Sequence, residues 1–296
     1  RLPRVADFGL FEVGTNHPGE IEPLSDLVQP DIALLLNVLP AHIGNFADMR
    51  ALVKEKLQIA NGLRDSGALV LPHSLKDDTN RKNLLTFGLD PAADFSGFWS
   101  GNQFFVKTPR GSQALDVVWN NPSRLVSLLA SMAVLHALGV SFQKVEEVYA
   151  SLELPEGRGN KHEIAGVTVI DDSYNANPAS MKMALDQLRQ MHGPGQRIAL
   201  LGEMLELGRH SESAHAEIAR SCEGFDRVIT FGASFESLGI GSYYSSISDF
   251  DLPSFVSELR AADVILVKGS NKIFWANSFV RKLIESLGST DSGQYR

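Results

Sequence analysis

Short apolar runs rich in β-branched residues alternate with amphipathic segments of helix length along most of this chain. ADFGLFEVG and DIALLLNV lead to DMRALVKEKLQIANGL and then GALVLP, and farther on VTVID, RIALLGE, RVITFG and VILVKGS are each followed by a helical stretch. A strand buried on both faces reads as a nearly continuous apolar run, and a helix between two such runs is the crossover that parallel strands need. The rhythm restricts the fold to α/β, a mostly parallel sheet covered by helices.

Two interruptions divide it. From Leu84 to Asn121 the pattern is irregular, and QFFVKT and ALDVVW predict a small antiparallel extension. Near ELPEGRGNKHE the hydrophobic period stops, and Pro155 with two glycines marks a boundary. We expect domains over 1–154 and 155–296, the second a smaller doubly wound, Rossmann-like domain of ordinary size. The polar tail GSTDSGQYR is expected to fray. Strand-like sequence begins within ten residues of Arg1, and no Met opens the chain, so a piece of a longer protein is expected.

Composition narrows the function classes. A net charge of −8 without long acidic or basic runs argues against a broad nucleic-acid surface. Cys222 is the only cysteine, which excludes an internal disulfide and a cysteine zinc cluster; we read it as a small apolar helix residue in a reducing compartment. No apolar run approaches the roughly 20 residues of a membrane span. The expectation is a cytoplasmic monomer without nucleic-acid partners.

Polar residues gather where strands end. Glu12, then Asn37 and His42, then Asp171 and Asp172, then Lys268–Ser270 close apolar runs, and in open α/β sheets ligands collect at the carboxyl ends of strands. Because neighbouring strand residues face opposite ways, only one of Asp171 and Asp172 faces a ligand. There is no G-x-S-x-G elbow, no G-x-G-x-x-G after a strand, and none of the 25 glycines is followed by Lys, as a phosphate-binding loop requires.

FEVGTNHPGEIEPLSDLVQPDIALLLNVLPAHIGNF, VIDDSYNANPASMKMAL and LGEMLELGRHSESAHAEI together resemble the Mur ligases. The resemblance runs from about Asp7 to Lys268 and is weak between Leu84 and Asn121. It implies a three-domain enzyme, of which this chain would be most of the central ATPase domain and all of the third, the phosphate loop lying upstream. It further implies an ATP-dependent, ADP-forming amide ligase of peptidoglycan precursor synthesis that works through an acyl phosphate. Within the family the match is best to the member that adds D-alanyl-D-alanine to the UDP-N-acetylmuramoyl tripeptide, so those two small molecules are the implied partners, with ATP and Mg²⁺ as cofactors.

By the same resemblance Glu12 and His42 would hold the magnesium ion, His42 serving catalysis as well. Pattern alone makes Lys54 and Lys56 solvated-face lysines, but the resemblance singles out Lys56 as a carbamylated catalytic lysine. Arg158 would reach the nucleotide from the linker, Asp172 would accept from the ribose hydroxyls, and Asn37 would line the nucleotide site. Asn175 and Asn177 would tie the turn into the helix at Pro178. Ser127 stands where the family keeps an adenine-binding Asn, and a hydroxyl lacks an amide's paired donor and acceptor. The resemblance therefore leaves two alternatives open, a ligase with another acceptor and a non-catalytic Mur-like binding protein. Asp172 is expected to matter for nucleotide binding with little effect on stability, and Asp171 for stability.

Overall fold

A computed structural model describes residues 6–40, 43–101, 103–117, 122–142 and 145–291, apart from the side chains of Glu146, Ala150, Thr290 and Asp291. It divides into two compact units, Arg1–Val38 with Asn45–Leu152, and Leu39–Gly44 with Glu153–Arg296.

The first unit contains α1 (Ile21–Val28), β1 (Ile32–Leu34), α2 (Met49–Leu57), β2 (Ala68–Pro72), β3 (Leu84–Gly88), β4 (Phe95–Ser100), β5 (Gln103–Thr108), β6 (Gly111–Leu115), α3 (Pro122–Ala137) and α4 (Val145–Ser151). Its six strands lie in sequence order, parallel from β1 to β4 and antiparallel from β4 to β6. Alternation along β2 splits the core: Val70 joins Phe87, Phe95, Phe104 and the α3 residues Leu125, Leu129 and Met132, whereas Leu69 and Leu71 join Ala33, Leu35, Ala60 and Leu63. The antiparallel extension is present, but its last strand is GSQAL rather than ALDVVW, of which Val118 and Trp119 lie outside the described residues. ADFGLFEVG is not a strand. No neighbouring strand bonds to it among the described residues, and Leu10 is 98% exposed, so an apolar pattern without a partner yields no ladder.

The second unit contains β7 (Asn160–Ile164), β8 (Val167–Asp172), α5 (Pro178–Gln190), β9 (Arg197–Gly202), α6 (Ser211–Ser221), β10 (Arg227–Phe231), β11 (Ser242–Tyr244), α7 (Leu252–Glu258), β12 (Val264–Lys268) and α8 (Phe279–Asp291). The order is β11-β10-β9-β12-β8-β7, parallel except for β7 against β8. The chain leaves β8, skips one position to build β9, β10 and β11 outward, and returns to fill the gap with β12. Strand direction of travel thus reverses around β8, β12 and β9, the switch point where such sheets bind ligands.

Parity decides what each strand end presents. Val167, Val169, Ile265 and Val267 enter a core with Phe255 of α7 and Phe279, Leu283 and Leu287 of α8. The alternate residues, ending in Asp172 and Lys268, therefore lie on the opposite face, where α5 packs on β12. The same buried stripe holds α8 in place, and the helix continues through Gly288 and Ser289 to Asp291. The helix thus takes in the first four residues of GSTDSGQYR, and residues 292–296 lie outside the described residues. Cys222 is buried, and burial pushes its thiol up to about 12, so it is an inert packing group. No helix among the described residues is long and apolar enough to cross a membrane.

Candidate functional site

At the end of β8 the two adjacent acids have separate surroundings. Asp171 is buried, and its Oδ1 accepts from the Ser173 backbone N–H at 3.2 Å. Asp172 faces the other way, its side chain 26% exposed, and its Oδ2 accepts from the Lys268 ammonium at 2.7 Å. The two partners sit side by side in register on neighbouring parallel strands. Lys268 is only 2% exposed and gives a second hydrogen bond, 3.1 Å, to the Asn175 carbonyl. Among the described residues nothing donates to Asp172 Oδ1. Desolvation pushes the Asp172 carboxyl above its usual range, opposed by the charge and hydrogen bond of Lys268 and by Arg158, with Asp171 adding to the rise.

The turn beyond is closely tied. The Asn175 side chain accepts from Ala176 N–H, and Asn177 and Ser180 cap α5 reciprocally, with Pro178 at the first helical position. The Arg158 guanidinium lies 3.9 Å from the centre of the Tyr174 ring, and Trp275 meets the same ring edge-on at 5.4 Å. Gly157 has φ +72°, and a Cβ there would stand 3.0 Å from both the Trp275 ring and the Tyr174 nitrogen. Only glycine lets the Arg158 segment lie this close. Gly159 N–H donates to the Asp171 carbonyl at 2.6 Å and Tyr174 N–H to the Gly157 carbonyl at 3.1 Å, which fixes Arg158 beside Asp172. An open carboxylate oxygen next to an exposed guanidinium suits a ligand that has both hydroxyl donors and anionic oxygens.

The LGEMLELGRHSESAHAEI block is a brace. His215 is fully buried, its Nε2 accepting from Met204 N–H at 2.9 Å and its Nδ1–H donating to the Ser211 carbonyl at 2.8 Å. Both nitrogens are spent as a neutral imidazole, and burial lowers the pKa. Glu203 accepts from the N–H and hydroxyl of Ser234.

In the first unit two carboxylates shape the NHPGE loop. Glu20 accepts from Thr15 Oγ1, Asn16 N–H and His17 N–H, and backbone hydrogen bonding lowers its pKa to about 2. Glu55, 4% exposed, accepts from the N–H groups of Gly19, Glu20 and Ile21 at 2.8, 3.0 and 3.0 Å. On the same helix Lys54 is exposed while Lys56 is half-buried, and burial lowers the Lys56 pKa. Glu12 and Asn37 are exposed. Exposed Ser127 turns its hydroxyl back on the Ser123 carbonyl at 3.0 Å. Among the described residues no hydrogen bond or ion pair links Glu12, Asn37, Lys56 and Ser127 to one another, and His42 lies outside them. No group of three metal-ligating His, Cys, Asp or Glu side chains occurs among the described residues. The exposed Glu12 carboxylate still fits Mg²⁺, which takes one or two carboxylates and completes its shell with phosphate and water oxygens.

Sequence reasoning missed Lys268 as the partner of Asp172 because strand register between residues 96 apart cannot be read from one chain. It missed Glu55 too, although its place three residues after buried Leu52 on an amphipathic helix was a usable signal.

Residues 1–122 match the family described as Mur ligase middle domain, and residues 157–271 match Mur ligase, glutamate ligase domain. The UDP-N-acetylmuramoyl-tripeptide–D-alanyl-D-alanine ligase of Escherichia coli K12 is 30% identical over 293 residues, covering 91% of this chain and 64% of that protein. The Bacillus subtilis ligase of the same name is 26% identical over 308 residues, 96% of this chain and 66% of the relative. Among solved structures, MurF from Acinetobacter baumannii superposes with a TM-score of 0.81 at 25% identity, over 92% of this chain and 63% of its own. MurF from Thermotoga maritima, solved in complex with ADP, shares the fold with a TM-score of 0.79 at 24% identity, over 93% and 66%. The chain spans just under two thirds of the length of these curated relatives.

Proposed function

Since the chain belongs to the Mur ligase family, we propose that it forms the central and third domains, 1–154 and 155–296, of a cytoplasmic, ADP-forming ligase that joins D-alanyl-D-alanine to a UDP-N-acetylmuramoyl tripeptide. The observation that carries the reading is the strand end of β8, where Asp172 keeps one carboxylate oxygen open beside Arg158 inside the family's own block. Relatives bearing that ligase name support the choice of substrates, and the ADP complex of the Thermotoga maritima protein supports ATP as the nucleotide.

In this reading a substrate carboxylate attacks the γ-phosphate of ATP, ADP departs, and the resulting acyl phosphate is captured by the dipeptide amine with loss of phosphate. Asp172 receives ribose hydroxyls, Arg158 faces the nucleotide's oxygens, and Asn37 and Ser127 stand at the nucleotide's edge. Mg²⁺ bound by Glu12 and His42 would neutralise charge on the transferred phosphoryl group. Burial favours the neutral amine of Lys56, the form that adds CO₂ to become a carbamate.

One observation favours a binding protein instead: the single donor of the Ser127 hydroxyl goes to the Ser123 carbonyl of its own helix. The test is ADP release from the full-length protein, which should require both the muramoyl tripeptide and D-alanyl-D-alanine. Lys56→Ala should nearly abolish it, and a small added carboxylate should restore part. ATP turnover indifferent to the dipeptide would refute the proposed acceptor, and a gene without a Gly-Lys-Thr loop upstream would favour the binding protein.

A further inference from the structure

The Lys268 ammonium reaches two different things at once, Oδ2 of Asp172 at 2.7 Å and the Asn175 carbonyl at 3.1 Å. One belongs to the strand and the other to the turn that leads into α5, so a single buried cation fixes the carboxylate relative to the turn. It also uses one carboxylate oxygen and leaves the other, Oδ1, open. We propose that Lys268 is the positioning residue of this site: its ammonium clamps one oxygen of Asp172 so that the charged second oxygen is presented to the hydroxyls of a nucleoside. The clause about the nucleoside rests on the function proposed above; the clamp does not.

The surroundings make a cation necessary. Asp172 is three-quarters covered, and desolvation pushes its carboxyl upward. The charges that act on it are those of Lys268 from β12, its strand neighbour Asp171 on the opposite face of β8 and Arg158 from the loop before β7; the turn into α5 adds no charge, only a carbonyl that shares the Lys268 ammonium. Asp171 opposes ionisation, and Arg158 is exposed and engaged with Tyr174. Lys268 is the one buried counter-charge among these. A protonated carboxyl turns one of its oxygens into a donor, so losing the cation weakens the site as an acceptor of hydroxyl donors and also releases the tie to the Asn175 carbonyl.

The test follows the Asp172 carboxyl by carbon-13 NMR in the whole chain labelled at aspartate, the signal being assigned by its absence in Asp172→Asn. In Lys268→Met the midpoint should rise by one pH unit or more, about a tenfold change in the ionisation constant, while Lys268→Arg should keep it near the parent value. An unchanged midpoint in Lys268→Met overturns the clamp. Should that variant not fold, the parent suffices: the Lys268 Nζ nitrogen signal must shift as Asp172 titrates, and indifference overturns the proposal equally. Titrating ADP separates the two readings. With the clamp intact, ADP affinity falls in Asp172→Asn at every pH, whereas in Lys268→Met it weakens further as pH falls. Unaltered ADP affinity in Asp172→Asn refutes the nucleoside reading alone and leaves the carboxyl titration standing.

Discussion

Glu55 in the first unit and Asp172 in the second are both carboxylates drawn out of water, and they are satisfied by opposite means. Glu55 gives its oxygens to three backbone N–H groups at the start of α1. That helix has no side-chain cap of its own, so a residue on α2 supplies the acceptor that its first turn lacks. Both oxygens of Glu55 are engaged, and burial closes the group off from any ligand. Asp172 rests one oxygen on a buried ammonium and keeps the other open at a strand end. A saturated carboxylate builds structure, whereas a half-saturated one in a low-dielectric setting is available for recognition, and the difference lies in the partners rather than in the acid.

The comparison breaks first, and with the largest effect, at Asp172→Ala. That change strands the Lys268 cation, 2% exposed, without a counter-charge. Removing one member of a buried pair costs about 3–5 kcal/mol; because Asp172 is partly open to water, about 2–3 is expected in urea denaturation of the second unit. The sequence suggested that Asp172 would affect binding and hardly touch stability; the pairing with buried Lys268 makes a loss of stability the expectation instead. Asp172→Ala/Lys268→Met should recover most of the stability and none of the ADP affinity. If the single substitution leaves the urea midpoint in place, Lys268 is not held by this pair and the contrast with Glu55 dissolves.

Next in size is Glu55→Leu, which removes the acceptor of three N–H groups in a buried setting. Unsatisfied buried donors cost about 1–3 kcal/mol, to be read as a lower urea midpoint for the first unit with no change in ADP affinity through the second. Asp171→Ala is smaller, about 1 kcal/mol, since a single hydrogen bond to Ser173 N–H is lost at a turn. A larger drop in ADP affinity for Asp171→Ala than for Asp172→Ala would place the strand in the opposite register.

What could be read from the sequence, and what could not, follows from the same physics. β8, β9, β10 and β12 are buried on both faces, so their composition announces them. β7, NKHEI, and β11, SYY, lie at the two edges of that sheet, where none of their residues is buried, and their sequences carry no apolar run to announce a strand. Residues 6–14 read as a strand from composition, but a strand exists only with a neighbour. Asp172 was legible from its motif and from alternation along β8. Lys268 was visible as a strand end but not as a partner, because pairing is a property of the register and not of either strand alone.

The smallest effect sharpens the contrast through pH. Glu20 is held by backbone N–H groups like Glu55, but at the surface, and its pKa is lowered to about 2. A depressed folded value means that the unfolded chain binds the proton first as pH falls, so the stability Glu20 supplies is complete above about 4.5 and is lost between there and about 2. Asp172 has the opposite sign. Its pKa is raised, so the folded state takes up the proton before the unfolded one, and the second unit loses stability as pH rises from about 3.8 toward the folded value. Acid titration of the two units should therefore tilt in opposite directions in this range wherever these two groups dominate. Glu20→Gln should flatten the acid limb of the first unit below pH 4.5 and leave the second unit unchanged, while Asp172→Asn should flatten the second and leave the first. Measuring unfolding midpoints from pH 3 to 6 for both variants decides it. A first unit whose acid limb survives Glu20→Gln would show that its loop is held by Glu55 alone, and that an exposed carboxylate, however many N–H groups surround it, contributes nothing that a buried one has not already secured.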